Sequence, residues 1–408
     1  MSGAPSMDLK VQHKRILMIA PEPFFEPRGT PFSVFWRLKA LSGLGYKVDL
    51  LTYPVGRDVV IPGLRIIRTP SIRFIREIPV GPSWSKFLLD IFLFISAIRL
   101  LRRGSYDLLH THEEASFFGI VLAKLFGIRH LYDMHSSLPQ QLRNFRFTRF
   151  RPLIRLFEWL ENRAICLSDA IISICPALED HVNQLNGHGR HVMIENAGSD
   201  GDPVAVSEEE VRKFEAAHLL GGKKIVLYTG TFEPYQGIDL LIASAASVLE
   251  KRKDVVFLLM GGNPSQVQYY QKQVNEGGFA AHFRLIGIRA PAEIPLAVRL
   301  ADVLISPRIN GTNTPLKIYS YLQSNKPIVA TNTFSHTQVL NGDVAVLVDA
   351  EPGAFASGIL SVLEDRSLAE RLAVSARQLF DSRYSYRQFV DKTDHVMRMA
   401  MGSSSVRN

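Results

Sequence analysis

Short, continuous apolar runs recur along the whole chain, and polar loops separate them from segments with helical spacing of apolar residues. Continuous runs of this kind are typical of strands that a parallel sheet buries on both faces. In the first half they fall at residues 15–20, 48–52, 64–68, 107–110, 130–135, 170–174 and 192–196. In the second half they fall at residues 223–228, 255–260, 283–286, 302–305 and 327–331. The alternation predicts an α/β protein with two doubly wound parallel sheets.

A chain of 408 residues is too long for one ordinary hydrophobic core, which predicts two domains. The polar run at residues 197–210 reads as the linker between them. We therefore predict a flexible lead-in at 1–14, Rossmann-like domains at 15–196 and 211–384, a final helix at 385–399 and a disordered tail at 400–408.

The stretch at residues 308–322 follows a buried strand and has a polar, glycine-containing loop before a helical pattern. Thr314 before Pro315 is the pattern of an N-cap followed by proline at the first helical position. Lys317 would then lie in the first turn, where a cation opposes the helix dipole unless an anion binds there. The stretch predicts an anion site, with an ordinary surface lysine as the alternative.

Composition narrows the choice of partners. The formal net charge of +8 and a pI near 9.4 favour anionic partners such as a nucleotide, a phosphate or an acidic membrane surface. Hydrophobic content of 46% and charged content of 21% are those of a folded globular protein. Cys166 and Cys175 form no metal-ligand pattern, and we expect both to be reduced and buried, in a cytoplasmic protein.

Two segments bear on membranes. Residues 87–100 are strongly apolar but short and contain Asp90, which favours a core helix over a membrane span. Residues 143–160 interleave arginines with aromatic rings, which fits either an anionic membrane surface or a basic loop leading into a helix with a buried aromatic face. No nucleic-acid motif accompanies them, so we expect no nucleic acid as partner. The residues of the predicted membrane contact are Arg143, Arg146, Arg149, Arg151, Phe147 and Phe150.

Histidines end two of the predicted strands, at the edge where parallel sheets bind ligands. His110 and His112 could share one side of an extended chain and chelate a metal. No third ligand is evident from the sequence, so we predict no metal site. The loop after the first strand contains Gly29, which permits close approach of a ligand, but it does not match G-x-G-x-x-G.

The order of motifs resembles that of the retaining glycosyltransferases of the GT-B fold, family 4, over nearly the whole chain. The motifs that carry the resemblance are Gly29, His112, His135, residues 194–196, residues 228–232, Gln236-Gly237 and residues 301–331. The resemblance implies two facing Rossmann-like domains, with a C-terminal helix that crosses back to the first. It also implies a nucleotide-diphosphate sugar on the second domain, an acceptor on the first, and neither metal nor cofactor.

The chain departs from the family pattern at four positions. Family members usually carry two glutamates in the donor loop where this chain has Thr312 and Ser320. A basic pair that often grips the diphosphate is replaced by Thr231 and Gln236. Lys317, together with Arg308, could supply the missing positive charge.

From the resemblance we expect sugar transfer to a cell-envelope acceptor, lipid-linked or glycan, on the inner face of the membrane. The alternatives are a non-catalytic GT-B partner or regulatory protein and a sugar-nucleotide epimerase. The expected catalytic residues are His135 and Lys317. The expected donor-binding residues are Gly29, Thr30, Gly230, Thr231, Gln236, Gly262, Ile288, Arg308, Thr312, Asn313, Thr314, Pro315, Leu316 and Ser320. On the acceptor side we expect Arg28, His112 and Glu113.

Overall fold

The structure is a computed structural model that describes residues 14–26, 29–71, 78, 83–144, 150–186, 189–195 and 206–402. The chain divides into two compact units. Unit 1 comprises Met1–Glu195 together with Phe389–Asn408, and unit 2 comprises Asn196–Gln388. The predicted lead-in up to residue 13, most of the predicted linker, and the tail from residue 403 lie outside the described residues.

Unit 1 contains a parallel sheet that is seven strands wide in its described part, in the order β3-β2-β1-β4-β5-β6-β7. Its strands are β1 Arg15–Ala20, β2 Lys47–Thr52, β3 Leu64–Arg68, β4 Leu108–His112, β5 Arg129–Met134, β6 Ala170–Ser173 and β7 His191–Met193. Its helices are α1 Gly29–Gly43, α2 Trp84–Arg103, α3 Ala115–Phe126, α4 Leu138–Asn144, α5 Arg151–Leu167 and α6 Pro176–Asn186.

Unit 2 contains a second parallel sheet, six strands wide, in the order β10-β9-β8-β11-β12-β13. Its strands are β8 Lys224–Thr229, β9 Val255–Met260, β10 Phe283–Gly287, β11 Val303–Ser306, β12 Ile328–Thr331 and β13 Val346–Val348. Its helices are α7 Glu208–Ala217, α8 Ile238–Lys251, α9 Pro264–Glu276, α10 Ile294–Leu300, α11 Leu316–Gln323, α12 Phe334–Thr337, α13 Pro352–Glu364 and α14 Arg366–Leu379.

In each sheet the strand order reverses beside the first strand, so the loops after β1 and β4, and those after β8 and β11, are neighbours. Such switch points at the carboxyl ends of strands are where open α/β sheets bind ligands. The apolar runs explain the cores: β1 is buried from Ile16 to Ala20, and every residue of β9 is buried. The predicted fold class is confirmed.

The last helix, α15 (Tyr386–Ala400), begins at the end of unit 2 and packs on unit 1 from Phe389 onward. Arg37 on α1 donates a hydrogen bond of 2.7 Å to the Thr393 hydroxyl. Lys392 forms an ion pair of 2.6 Å with Glu195. The return of the C-terminal helix to the first unit was expected from the family resemblance.

Some local predictions differ from the structure. Helix α7 begins inside the segment predicted as linker, because Ser207 and Glu210 form a reciprocal capping box. Strand β13 was not predicted, since its three residues are too few for a periodic signal. The prediction that both cysteines are buried is wrong for Cys166, which is exposed on α5, and right for Cys175.

The apolar segment at 87–100 lies within α2, which buries one face and exposes the other. None of the described helices combines the length and the apolar character that crossing a membrane requires. Of the segment predicted to contact a membrane, Arg146, Phe147, Arg149 and the side chain of Arg143 lie outside the described residues. Phe150 and Arg151 are described, and both are exposed.

Candidate functional site

Several of the predicted donor residues of unit 2 lie near one buried cation, Lys317. The Lys317 Nζ lies 3.7 Å from the centre of the Tyr228 ring, at the end of β8. Nζ has no solvent access and no hydrogen-bond partner among the described residues. Burial, and secondarily the nearby Arg308, hold the pKa of Lys317 well below its usual value. A desolvated cation held only by a ring face is an incomplete interaction, which an anion would complete.

Tyr228 organises the loop after β8 as well as supporting Lys317. Its hydroxyl donates to the Thr231 carbonyl at 2.7 Å and lies 3.4 Å from the Gln236 side-chain oxygen. Gln236 is buried in the short 3-10 turn Pro234–Gln236. Thr231 and Gln236, which the resemblance places where a basic pair is expected, therefore both contact the tyrosine whose ring faces Lys317.

Glycines let the backbones of neighbouring loops approach each other here. Gly261 has a φ of +130°, and a Cβ on it would lie 1.8 Å from the Gly230 carbonyl oxygen. A Cβ on Gly262 would lie 2.4 Å from the Phe232 ring, and one on Gly230 would lie 3.3 Å from the Lys317 Nζ. The loops after β8 and β9 thus expose backbone atoms, without an intervening side chain, to a ligand that contacts Lys317.

The loop after β11 also borders the site around Lys317. Arg308 donates to the Asn310 carbonyl at 2.7 Å and stacks 5.2 Å above the Tyr235 ring. Gly311 leaves room for that guanidinium, since a Cβ there would lie 1.9 Å from it. The Thr312 carbonyl accepts a hydrogen bond of 2.6 Å from Gln338.

Helix α11 begins beside Lys317, but its cap differs from the prediction. Pro315 occupies the N-cap position in extended conformation, and Leu316 is the first helical residue. The prediction of Thr314 as N-cap is wrong: its hydroxyl is buried without a hydrogen-bond partner in the described structure. Because an N-cap proline offers no side-chain acceptor, the amides of Leu316 and Lys317 are left to an outside acceptor.

Other predicted donor residues are more peripheral. Ile288 and Ser320 are exposed, and Ser320 lies one helical turn from Lys317 on the same face of α11. Thr312 and Asn313 are half-buried neighbours in the loop. Sequence reasoning missed His336, which lies under this loop and bonds Ser306 at 2.8 Å. It is a lone histidine on a short helix, which gives no sequence signal.

Two predicted residues of unit 1, His112 and His135, lie beside one buried carboxylate, that of Asp133 near the end of β5. The Arg37 Nε lies 3.2 Å from the Asp133 Oδ2. The His110 Nε2 lies 3.4 Å from Oδ2, and the His135 Nε2 lies 3.3 Å from Oδ1. Burial alone would raise the pKa of Asp133, but Arg37 and the histidines bring it well below its usual value. Asp133 is therefore an anion that fixes three surrounding groups.

His112 and His135, at the ends of β4 and β5, form a hydrogen-bonded pair. The His112 Nδ1 lies 3.0 Å from the His135 Nε2. Burial lowers the pKa of both rings, that of His112 furthest. One ring must donate and the other accept, which two neutral imidazoles can do and two imidazolium ions cannot.

The structure adds a third potential metal ligand to the pair considered from the sequence. Ligand atoms of His110, His112 and Asp133 all lie within 4.8 Å of one another. Arg37 is already paired with the same carboxylate. A fixed guanidinium beside the site opposes the entry of a second cation.

Glu113, which was predicted on the acceptor side, lies at the same edge of the sheet. Glu113 follows His112 in a left-handed conformation, with φ of 48°, and its carboxylate accepts a hydrogen bond of 2.7 Å from Ser136. Burial and the neighbouring Glu114 raise the pKa of Glu113 to about 8. Gly29 and Thr30 begin α1, and a Cβ on Gly29 would meet open space. Arg28 lies outside the described residues.

Each unit matches its own family model. A model described as "Glycosyl transferase 4-like domain" matches residues 34–197, and one described as "Glycosyl transferases group 1" matches residues 210–379. The chain is a glycosyltransferase of the GT-B fold. The resemblance to GT-B glycosyltransferases that the motifs indicated is thus supported for both halves of this glycosyltransferase.

Relatives match the glycosyltransferase over nearly its whole length. The phosphatidyl-myo-inositol mannosyltransferase of Mycobacterium tuberculosis is 24% identical over 408 residues, which cover 96% of this chain and 98% of the relative. The solved sucrose-phosphate synthase of Thermosynechococcus elongatus has 18% identity and a TM-score of 0.78, covering 96% of this chain and all of that one (100%). HepE of Anabaena, solved with UDP-glucose, has 16% identity and a TM-score of 0.73, covering 94% of this chain and 99% of its own.

Proposed function

We propose that this glycosyltransferase transfers a sugar, with retention of configuration, from a nucleotide-diphosphate sugar to a lipid-linked acceptor at the inner face of the cytoplasmic membrane, without a metal ion. The observation that carries the donor half is the buried Lys317 Nζ near the start of α11, which has no hydrogen-bond partner among the described residues. The name of the M. tuberculosis relative supports the acceptor half, since that protein is a mannosyltransferase of phosphatidyl-myo-inositol.

The diphosphate would bind against Lys317 and the first amides of α11. A phosphate oxygen there completes the contacts that the Lys317 Nζ and the Thr314 hydroxyl lack. The main chain at Gly230 and Gly261 allows the diphosphate to approach the sheet edge closely. Arg308 contributes a second positive charge, while Thr312 and Ser320 offer hydroxyls, not carboxylates, to the sugar and the ribose.

In the reaction, the bond between the anomeric carbon and the phosphate oxygen breaks, and the diphosphate keeps the electron pair. The acceptor hydroxyl oxygen forms the new bond on the same face, and its proton passes to the departing phosphate. Lys317 and the α11 amides stabilise the negative charge that grows on the diphosphate. His135 of unit 1, which Asp133 and His112 hold in place, is the second residue that we propose to take part in the reaction.

The test is turnover with a panel of nucleotide sugars and phospholipid acceptors, after a thermal-shift screen for the donor. We expect Lys317→Ala to lower kcat/KM by about a hundredfold or more, because one charge-stabilising group is removed. Lys272→Ala, an exposed lysine on α9, is the matched control and should behave as the parent. Unchanged turnover of Lys317→Ala would contradict the assigned role. A product whose anomeric configuration is opposite to that of the donor would contradict retention.

A non-catalytic GT-B protein is the second candidate, favoured by Thr312 and Ser320 at the positions of the usual glutamates. It predicts that no common nucleotide sugar binds in a calorimetric titration. Binding without turnover, in the presence of the phospholipid panel, would also favour it.

A further inference from the structure

Three neighbouring helices of unit 1 each expose large apolar side chains. Helix α3 lies between α2 and α5, since the Phe118 ring is 5.6 Å from that of Phe94 and the Phe117 ring is 6.3 Å from that of Phe157. The outward positions of the three helices include Phe87, Ile91, Ile95, Val121, Leu125 and Trp159. We call this surface the α2–α3–α5 face.

The exposure on this face is large and follows the helical repeat. On α2, Phe87, Ile91 and Ile95 recur every four residues, while Leu89 and Leu93 point into the core. Leu125 is 70% exposed and Trp159 is 54% exposed. In unit 2, each described helix shows at most one exposed large apolar residue. The concentration on α2, α3 and α5 therefore exceeds the single exposed apolar residues that are normal on a protein surface.

Basic residues accompany the apolar ones. The exposed basic residues of the three helices are Arg99, Arg102, Arg103, Lys124, Arg155 and Arg163, with Arg151 at the start of α5. These helices carry three acidic residues: Asp90 is partly buried and accepts a hydrogen bond from Tyr53, Glu158 is half-buried, and Glu161 is buried. Arg163 also stacks 5.6 Å from the Trp159 ring.

We propose that the α2–α3–α5 face binds the surface of an anionic phospholipid bilayer. Apolar side chains enter the boundary between head groups and acyl chains, and the arginines meet phosphates, as at interfacial amphipathic helices. Trp159 beside Arg163 suits that boundary, where an amphipathic ring prefers to lie. A second copy of the chain is a poorer occupant, because self-pairing would bring the same arginines against each other.

The face shares residues 151–160 of α5, including Trp159, with the segment predicted from the sequence, and α2 and α3 extend it beyond that segment. It is independent of the proposed activity, since binding to vesicles requires neither a donor nor an acceptor. Failure of sugar transfer and failure of membrane binding can therefore be told apart.

The experiment is flotation of the full chain with vesicles of phosphatidylcholine alone or mixed equally with phosphatidylglycerol. The apolar variant carries Ile91→Gln, Leu125→Gln and Trp159→Gln, and the charge variant carries Arg99→Gln, Arg102→Gln and Arg103→Gln. The matched controls change exposed residues of unit 2: Tyr269→Gln, Phe334→Gln and Val374→Gln for the first, and Lys223→Gln, Lys272→Gln and Arg366→Gln for the second.

We expect the parent and both controls to float with the mixed vesicles, and each face variant to float about tenfold less. The parent should float little with phosphatidylcholine alone and less at high salt. Equal flotation of parent and face variants, or no flotation of the parent, would overturn the proposal. Light scattering that shows a dimer which the apolar variant dissociates would overturn it in favour of a second copy.

Discussion

Two buried cationic side chains of this glycosyltransferase have opposite environments. Arg37 in unit 1 pairs with Asp133 and bonds Thr393, so its charge is compensated inside the protein. Lys317 in unit 2 has the face of Tyr228 and no hydrogen-bond partner in the described structure. The first arrangement is structural, and the second suits a residue that acts when an anion arrives.

An uncompensated buried cation has a cost before the anion binds. We predict that Lys317→Met raises the unfolding free energy of the unliganded protein by about 1 kcal/mol, because a desolvated charge is replaced by an apolar chain of similar length. The same variant should lose the thermal stabilisation that a nucleotide sugar gives the parent. Calorimetric unfolding with and without donor measures both effects. Lys272→Met should leave both unchanged, and a destabilised Lys317→Met would count against an anion site.

Gly261 is fixed by the close approach of the Gly230 carbonyl. We predict that Gly261→Ala destabilises unit 2 by about 3 kcal/mol or more, since the residue combines a φ of +130° with a Cβ position 1.8 Å from that oxygen. Gly342→Ala is the control, because a Cβ there meets open space. Thermal unfolding of the two variants provides the comparison, and equal melting temperatures would refute the steric argument.

At the scale of elements, the apolar strands were predictable because a parallel sheet demands continuous buried runs, as in β1 and β9. Strand β13 was not predictable, since three residues are too few to show a periodicity. The N-cap of α11 was not predictable either, since the sequence Thr314-Pro315 is compatible with either residue as the N-cap. The sequence predicted that site residues lie at strand ends, but it did not predict which of them contact each other. Arg37 meets Asp133 from a helix 96 residues earlier in the chain, a pairing that sheet register sets and local sequence does not.

Helix α15 is attached to unit 1 through a polar contact inside an apolar interface. Thr393 accepts from Arg37 and donates to the Phe389 carbonyl at 2.7 Å, with all three groups buried. We predict that Thr393→Val destabilises unit 1 by about 2 kcal/mol, because the guanidinium loses an acceptor that no water replaces. Urea unfolding is the measurement. Thr337→Val, at an exposed position of α12, should change stability by less than about 0.5 kcal/mol.

At the scale of the whole molecule, buried neutral histidines make stability depend on pH. His130 is enclosed between the Thr111 hydroxyl at 2.8 Å and the Ser168 hydroxyl at 2.9 Å. Burial, and secondarily His110, lower its pKa to about 3, against 6.5 for a free histidine. The stability that this ring contributes is therefore fully present above pH 6.5 and is lost as the pH falls, because only the unfolded chain takes up the proton.

We predict that lowering the pH from 7 to 5 removes about 2 kcal/mol of stability through His130 alone. The test compares the pH dependence of unfolding in the parent and in His130→Gln, which is expected to lose less stability over this interval. Glu113, with its pKa raised to about 8, has the opposite dependence but is present in both proteins and cancels. Parallel pH profiles for the two proteins would show that His130 does not carry the effect.

The discontinuity of unit 1 has a consequence for how the protein is made. A ribosome completes all of unit 2, which ends at Gln388, before it delivers the Phe389–Asn408 segment that unit 1 requires. Unit 1 therefore departs from the common pattern in which each domain is complete before the next is synthesised. Until the Phe389–Asn408 segment has been synthesised, Arg37 has Asp133 as a partner but lacks Thr393, and the first unit is incomplete.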